Sequence, residues 1–100
     1  MPESQLDDTT SDLVIADAVD FIGICLGSIT VSDMGVLRMR SVGIGPICVQ
    51  RGGTLYLLGV ANAGITNEGG ALEVRGVVRG AIVRRDGITV IHPEAMLLSN

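Results

Sequence analysis

The sequence predicts an all-β protein: a single right-handed parallel β-helix (β-solenoid) of about four to five coils, 17–18 residues per coil. Three observations carry this reading. Glycine recurs at a fixed place, as Gly35, Gly53, Gly70 and Gly87, in steps of 18, 17 and 17. Aliphatic residues follow each glycine at matching distances. Within each round the residues alternate apolar and polar with period two, which is the spacing of a strand and not of a helix.

The elements follow in chain order. Residues 1–12 are polar and acidic and are expected to form a flexible tail, with residues 13–100 as the β-helix domain. Leu13 to Ile15 begin a partial coil. Val19, Phe21, Ile24 and Ile29 mark the next. Cutting the remainder at 34–51, 52–68, 69–85 and 86–100 aligns Leu37, Leu55, Leu72 and Thr89, then Met39, Leu57, Val74 and Ile91. Val42, Val60 and Val77 align next, and after them Ile47, Ile65 and Ile82. These are read as inward anchors, spaced five, five and then seven or eight residues apart. That spacing does not fit the strict six-residue repeat of the left-handed acyltransferase helix, so a right-handed coil is preferred. Equivalent residues of adjacent coils should lie about 4.8 Å apart and form inward ladders. A small β-sandwich is the rival architecture; the residue-for-residue recurrence of Leu, Val and Ile favours the solenoid. At the far end Pro93 interrupts a strand, and Ala95, Met96, Leu97 and Leu98 close the chain with apolar residues.

Composition excludes several classes. The chain has 100 residues, 47% of them hydrophobic, which is too apolar for a disordered protein. Its one Tyr and one Phe cannot build a stacking platform for nucleic acid. Two cysteines are too few for a disulfide scaffold, and Cys25 and Cys48 have no clustered metal ligands beside them. Charge is unevenly spread: residues 1–33 carry seven acidic and no basic residues, and residues 34–100 carry seven Arg against four acids. One reading is a solvated acidic tail ahead of a mildly basic body. The other is a dipolar molecule whose acidic end meets a basic surface, on itself or on a neighbour. The N-terminus shows neither a basic n-region nor an apolar h-region, so a cytoplasmic protein with reduced thiols is expected, without a strong membrane signal.

Catalysis needs convergent titratable groups. His92 is the one histidine, and no nucleophile or orienting acid is placed beside it in the repeat frame. No phosphate-binding loop is present. A protein that is not an enzyme, with no cofactor and no metal, is expected. The repeat frame instead places Arg38, Tyr56 and Glu73 in one exposed column and Arg40, Leu58, Arg75 and His92 in a second. Exposed Arg and Tyr suit a protein-binding surface. Met96, Leu97 and Leu98 form a candidate end-to-end contact, or else finish the core.

The coil at residues 72–82, Leu-Glu-Val-Arg-Gly-Val-Val-Arg-Gly-Ala-Ile, resembles the repeating unit of the bactofilins. In that unit a strand leads to Gly-Val, then to a further Gly, then to an aliphatic residue. Residues 55–65 look like a second copy, with Gly59-Val60 and Gly64-Ile65. Residues 37–47 look like a third, with Ser41 in the Gly place. The ending Val90-Ile91-His92-Pro93-Glu94-Ala95 is similar to the Ile-x-Pro-Gly-Ala closing of such coils. The resemblance covers residues 19–98 and implies a bacterial cytoskeletal β-helix that polymerises end to end without nucleotide. It implies a structural, self-assembling role, with the chain itself as partner. The alternative is a specific protein-binding module, such as a toxin-neutralising partner of another protein. No nucleic-acid partner is expected.

Overall fold

The computed structural model describes residues 4–6 and 12–98. It is an all-β solenoid of about five turns, with about 18 residues per turn and no helix among the described residues. The strands stack on three sides. The first side holds β1 (Ser4–Leu6), β3 (Ala18–Phe21), β6 (Val36–Met39), β9 (Thr54–Leu57) and the later halves of β11 (Ile65–Val74) and β13 (Ile82–Ile91). The second side holds β4 (Ile24–Cys25), β7 (Val42–Gly43), β10 (Val60–Ala61), β12 (Val77–Arg79) and β14 (Met96–Leu98). The third side holds β2 (Leu13–Ile15), β5 (Ile29–Val31), β8 (Ile47–Val49) and the first halves of β11 and β13. Every strand pair is parallel, as one chain winding in one sense requires.

Of the expected N-terminal tail, Ser4–Leu6 pairs in parallel with β3 and lays a strand below the first complete coil. Asp12 accepts a hydrogen bond from the Ser28 amide at 2.8 Å. Residues 1–3 and 7–11 lie outside the described residues.

The inward ladders run as the repeat predicts. Val19, Leu37, Leu55 and Leu72 are register partners in turn, as are Phe21, Met39, Leu57 and Val74. On the third side Leu13, Ile29, Ile47, Ile65 and Ile82 form the ladder. Leu37, Leu55, Leu57 and Phe21 are fully buried. Each such side chain contributes on the order of 2 kcal/mol through removal from water.

The second side corrects the expected anchors. Ile24 is exposed, and Val42, Val60 and Val77 are half-buried and face outward. Their neighbours Cys25, Gly43, Ala61 and Val78 fill the interior instead. The reason is one unbroken period-two alternation. Glycines aside, buried residues fall on odd numbers from Ile15 to Asn67 and on even numbers from Leu72 to Val78. A step of five residues would break that parity. The interior here also wants small residues: a Cβ on Gly43 would lie 2.6 Å from Met39 Cε, so the long Met39 already fills the space.

The switch of parity has a visible cause. Four residues turn the corner at positions 32–35 and 50–53, but three turn it at 68–70, which shortens the turn from 18 residues to 17. In the longer corners a backbone carbonyl accepts the last amide, Gly35 N to Ser32 O and Gly53 N to Gln50 O, each at 2.9 Å. In the short corner the Asn67 side chain takes over. Its Oδ1 accepts from the Gly69 and Gly70 amides at 3.1 and 2.9 Å. Its Nδ2 donates to Gly70 O, Ile88 O and Thr89 Oγ1 at 3.2, 3.0 and 3.1 Å. Asn67 therefore stands, fully buried, where Val31 and Val49 stand in earlier coils, and Thr89 replaces leucine opposite it. Asn67→Ala is expected to cost about 2–3 kcal/mol, because it strands buried amides without partners. Chemical denaturation measures this, and a loss below about 0.5 kcal/mol, the size of an ordinary surface substitution, would contradict the assigned role.

Candidate interaction surface

The outer residues of the first side form the columns expected from the repeat. Asp20, Arg38, Tyr56, Glu73 and Val90 are consecutive register partners. Arg40, Leu58, Arg75 and His92 follow the strand ends. Their amides bond to the coil below, at Phe21 O, Met39 O, Leu57 O and Val74 O, which stacks them as the second column. The parallel register places these side chains, since one residue's slip would turn the whole set inward.

The two columns enclose a shallow groove of about 320 Å³ lined by Arg38, Tyr56, Leu58, Glu73 and Arg75. A neighbouring cleft of about 280 Å³ lies beyond the Tyr56–Glu73 ridge and reaches Ile88, Val90 and His92. Glu73 ties the columns together. His92 Nε2 lies 2.6 Å from its Oε1, and Arg75 donates to the same oxygen from Nη2 at 3.2 Å and from Nε at 3.4 Å. The His92 hydrogen bond, with help from Arg75, holds the Glu73 carboxyl below the usual glutamate range, although desolvation acts in the other direction. Two coils lower, Arg40 pairs with Asp20 of the coil beneath it at 2.5 Å. The groove is thus a surface of largely paired charges around an aromatic ring and a leucine. Among the described residues no nucleophile and base meet in it.

A depressed folded-state pKa means that Glu73 stabilises the fold above the unfolded carboxylate value and loses this as pH falls through the lowered one. Removing the histidine contact in His92→Gln should move the Glu73 titration upward, toward the ordinary value. NMR titration of the Glu73 side chain reads this, and an unchanged midpoint would refute the pairing.

The cysteines stand apart from this surface. Cys48 donates to Glu68 Oε1 at 3.2 Å, and burial together with that carboxylate pushes its thiol up to about 11. Cys25 is buried, donates to Gly27 O at 3.4 Å, and is also raised, chiefly by desolvation. Both are held as thiols. Among the described residues no group of three or more His, Cys, Asp or Glu gathers at metal-binding distance. Among the described residues no helix is long and apolar enough to cross a membrane.

The other predicted contact lies at the C-terminal end of the stack. Met96, Leu97 and Leu98 form β14, the last strand of the second side, and are 55%, 49% and 39% exposed. By register with Val78, Leu97 continues the inward row of the second side, yet half of it is uncovered. The repeat did not single out Ile88 and Val90, which add exposed apolar surface on the same last rung. Their signal was present, since the ruler that aligns Tyr56 with Glu73 also lands on Val90. No protein-family model matches the chain, and neither a curated protein nor a solved structure matches it.

Proposed function

We propose that this protein is a non-catalytic, bactofilin-like structural module of the bacterial cytoplasm that assembles with copies of itself through its coil ends. The observation that supports this reading most is the last rung. Its two strands, the later half of β13 and β14, each pair on one edge only among the described residues, and they carry Ile88, Val90, Met96, Leu97 and Leu98 exposed. An unpaired strand edge with apolar side chains is a template for further pairing. The two free thiols fit a reducing compartment.

Light scattering and electron microscopy across a concentration series test this. Assemblies that grow with concentration are expected, and Met96→Glu/Leu98→Glu should abolish them with an unchanged circular dichroism spectrum. A wild-type chain that stays monomeric at high concentration would overturn the reading. The groove favours a second reading, a protein-binding module that engages one ligand through Arg38 and Tyr56. In that case Arg38→Glu/Tyr56→Ala loses the captured ligand in a pull-down, whereas the end variant keeps it.

A further inference from the structure

The outward face of the second side is aliphatic along the whole solenoid. Ile24, Val42, Val60, Val77 and Met96 are consecutive register partners on its five strands. The next outward row, two residues on, holds Leu26, Ile44, Asn62, Arg79 and Leu98. Ile24, Leu26, Ile44, Met96 and Leu98 are between 39% and 55% exposed, and the three valines are half-buried. With Ile22 and Leu58 at the adjoining corner, these residues present roughly 600–700 Å² of apolar surface, where the largest such patch on a monomer is about 300–600 Å². Strand preference alone does not account for it, because the outer row of the first side carries Asp20, Arg38, Tyr56 and Glu73 and that of the third side Thr30, Cys48 and Thr66. The two aliphatic rows hold one charge, Arg79, on the outer edge. At the rim Arg40 is paired with Asp20 and Arg75 with Glu73, and exposed Glu94 stands at the corner that leads into the last strand.

We infer that a second copy of this chain covers this face, the two second sides packed sheet against sheet with their solenoid axes antiparallel. The area fits: two such faces together bury about 1,200–1,400 Å², within the range of a stable protein pair. The polar residues fit as well. A two-fold axis through β10, the middle strand of the five, overlaps every rung and sets Asn62 opposite Asn62 of the second copy. An amide both donates and accepts, so two of them satisfy each other. The same axis places Arg79 opposite Ile44 of the second copy, with its head at the rim, and keeps the two arginines about 10 Å apart along the stack. A parallel pair instead sets either Asn62 against an aliphatic residue or Arg79 against Arg79, and each arrangement buries an unsatisfied group. The antiparallel contact is isologous and closes at two chains, unlike the open-ended contact of coil ends, with which it shares only Met96 and Leu98.

Particle size in Val42→Asp tests the contact, since Val42 lies on the second of the five strands and at neither coil end. By sedimentation velocity the substitution should split pairs into single chains at the same concentration, and in electron micrographs it should halve the thickness of any filament. Unchanged mass and thickness would overturn the inference. Orientation is read at Ile44. Ile44→Glu, opposite Arg79, should keep the pair, and Ile44→Arg should raise its midpoint concentration at least tenfold; equal effects of the two would overturn the antiparallel arrangement. Failure of the end-on reading looks different. A wild type that stops at two chains and is split by Val42→Asp keeps the lateral pair and removes the coil-end contact, whereas growing particles untouched by Val42→Asp do the reverse. A wild type that is monomeric at high concentration removes both. Binding to phosphatidylglycerol vesicles that Val42→Asp abolishes, with particle mass unchanged, would assign the face to a lipid surface and overturn the inference. Circular dichroism checks the fold of each variant, and should Val42→Asp unfold the chain, Ile44→Arg at its exposed position serves in its place.

Discussion

Ile65→Asp is expected to unfold the protein, and Val60→Asp, on the adjacent side of the same coil, is expected to leave it folded. Both are aliphatic residues that recur in the repeat, and the sequence frame reads both as inward. The structure separates them. Ile65 is 2% exposed, between Ile47 below and Ile82 above. A carboxylate there has no partner, and its burial costs on the order of 5 kcal/mol. A domain of this size has about 5–15 kcal/mol in total. Val60 faces outward beside Val42 and Val77 and is half-buried. An Asp at that position can turn to water, for a loss of about 1 kcal/mol in strand preference. Thermal unfolding followed by circular dichroism distinguishes the two. Equal destabilisation would mean that the inside and outside of the second side are wrongly placed.

Gly76→Ala should be nearly as damaging, although it adds a single methyl group. The corner between the first and second sides brings successive coils into backbone contact. A Cβ at Gly76 would lie 2.0 Å from Gly59 O and 2.9 Å from the Leu58 carbonyl carbon. The obstructing atoms are main chain, and the Gly76 amide donates to Leu57 O at 3.1 Å, so neither side yields without opening the stack. A loss of about 3 kcal/mol is expected from overpacking. Ala63→Ser at an exposed corner position provides the comparison, with a change within about 0.5 kcal/mol. Denaturant midpoints that coincide for the two would show that the coils are not in contact at Gly76.

The ladders of Leu37, Leu55 and Leu72 and of Ile47, Ile65 and Ile82 were legible because large aliphatic residues recur only where every coil buries them. The second side was misread for the opposite reason. Valine suits a strand whichever way it faces, and the true interior residues, Gly43 and Ala61, are small and give no hydrophobic signal. Following the alternation through the corner would have found them. Asn67 was missed because polar residues are read as surface, yet it sits one coil above Val49, and the step from 18 to 17 residues occurs at the same corner. The outer columns followed directly from the register. Their contacts did not: the bond from His92 to Glu73 depends on two coils meeting at a corner, 19 positions apart in the chain. The strand formed by Ser4–Leu6 inside an acidic segment was equally unreadable, since it is fixed by the edge of β3 and not by its own composition.

Methyl NOE spectroscopy on leucine-labelled protein tests the stacking most directly. Cross-peaks are expected between Leu37 and Leu55 and between Leu55 and Leu72, which are neighbours in register, and a far weaker one or none between Leu37 and Leu72, two rungs or about 9.6 Å apart. A strong Leu37 to Leu72 contact, or no contact between Leu55 and Leu72, would contradict the solenoid and every assembly built on it.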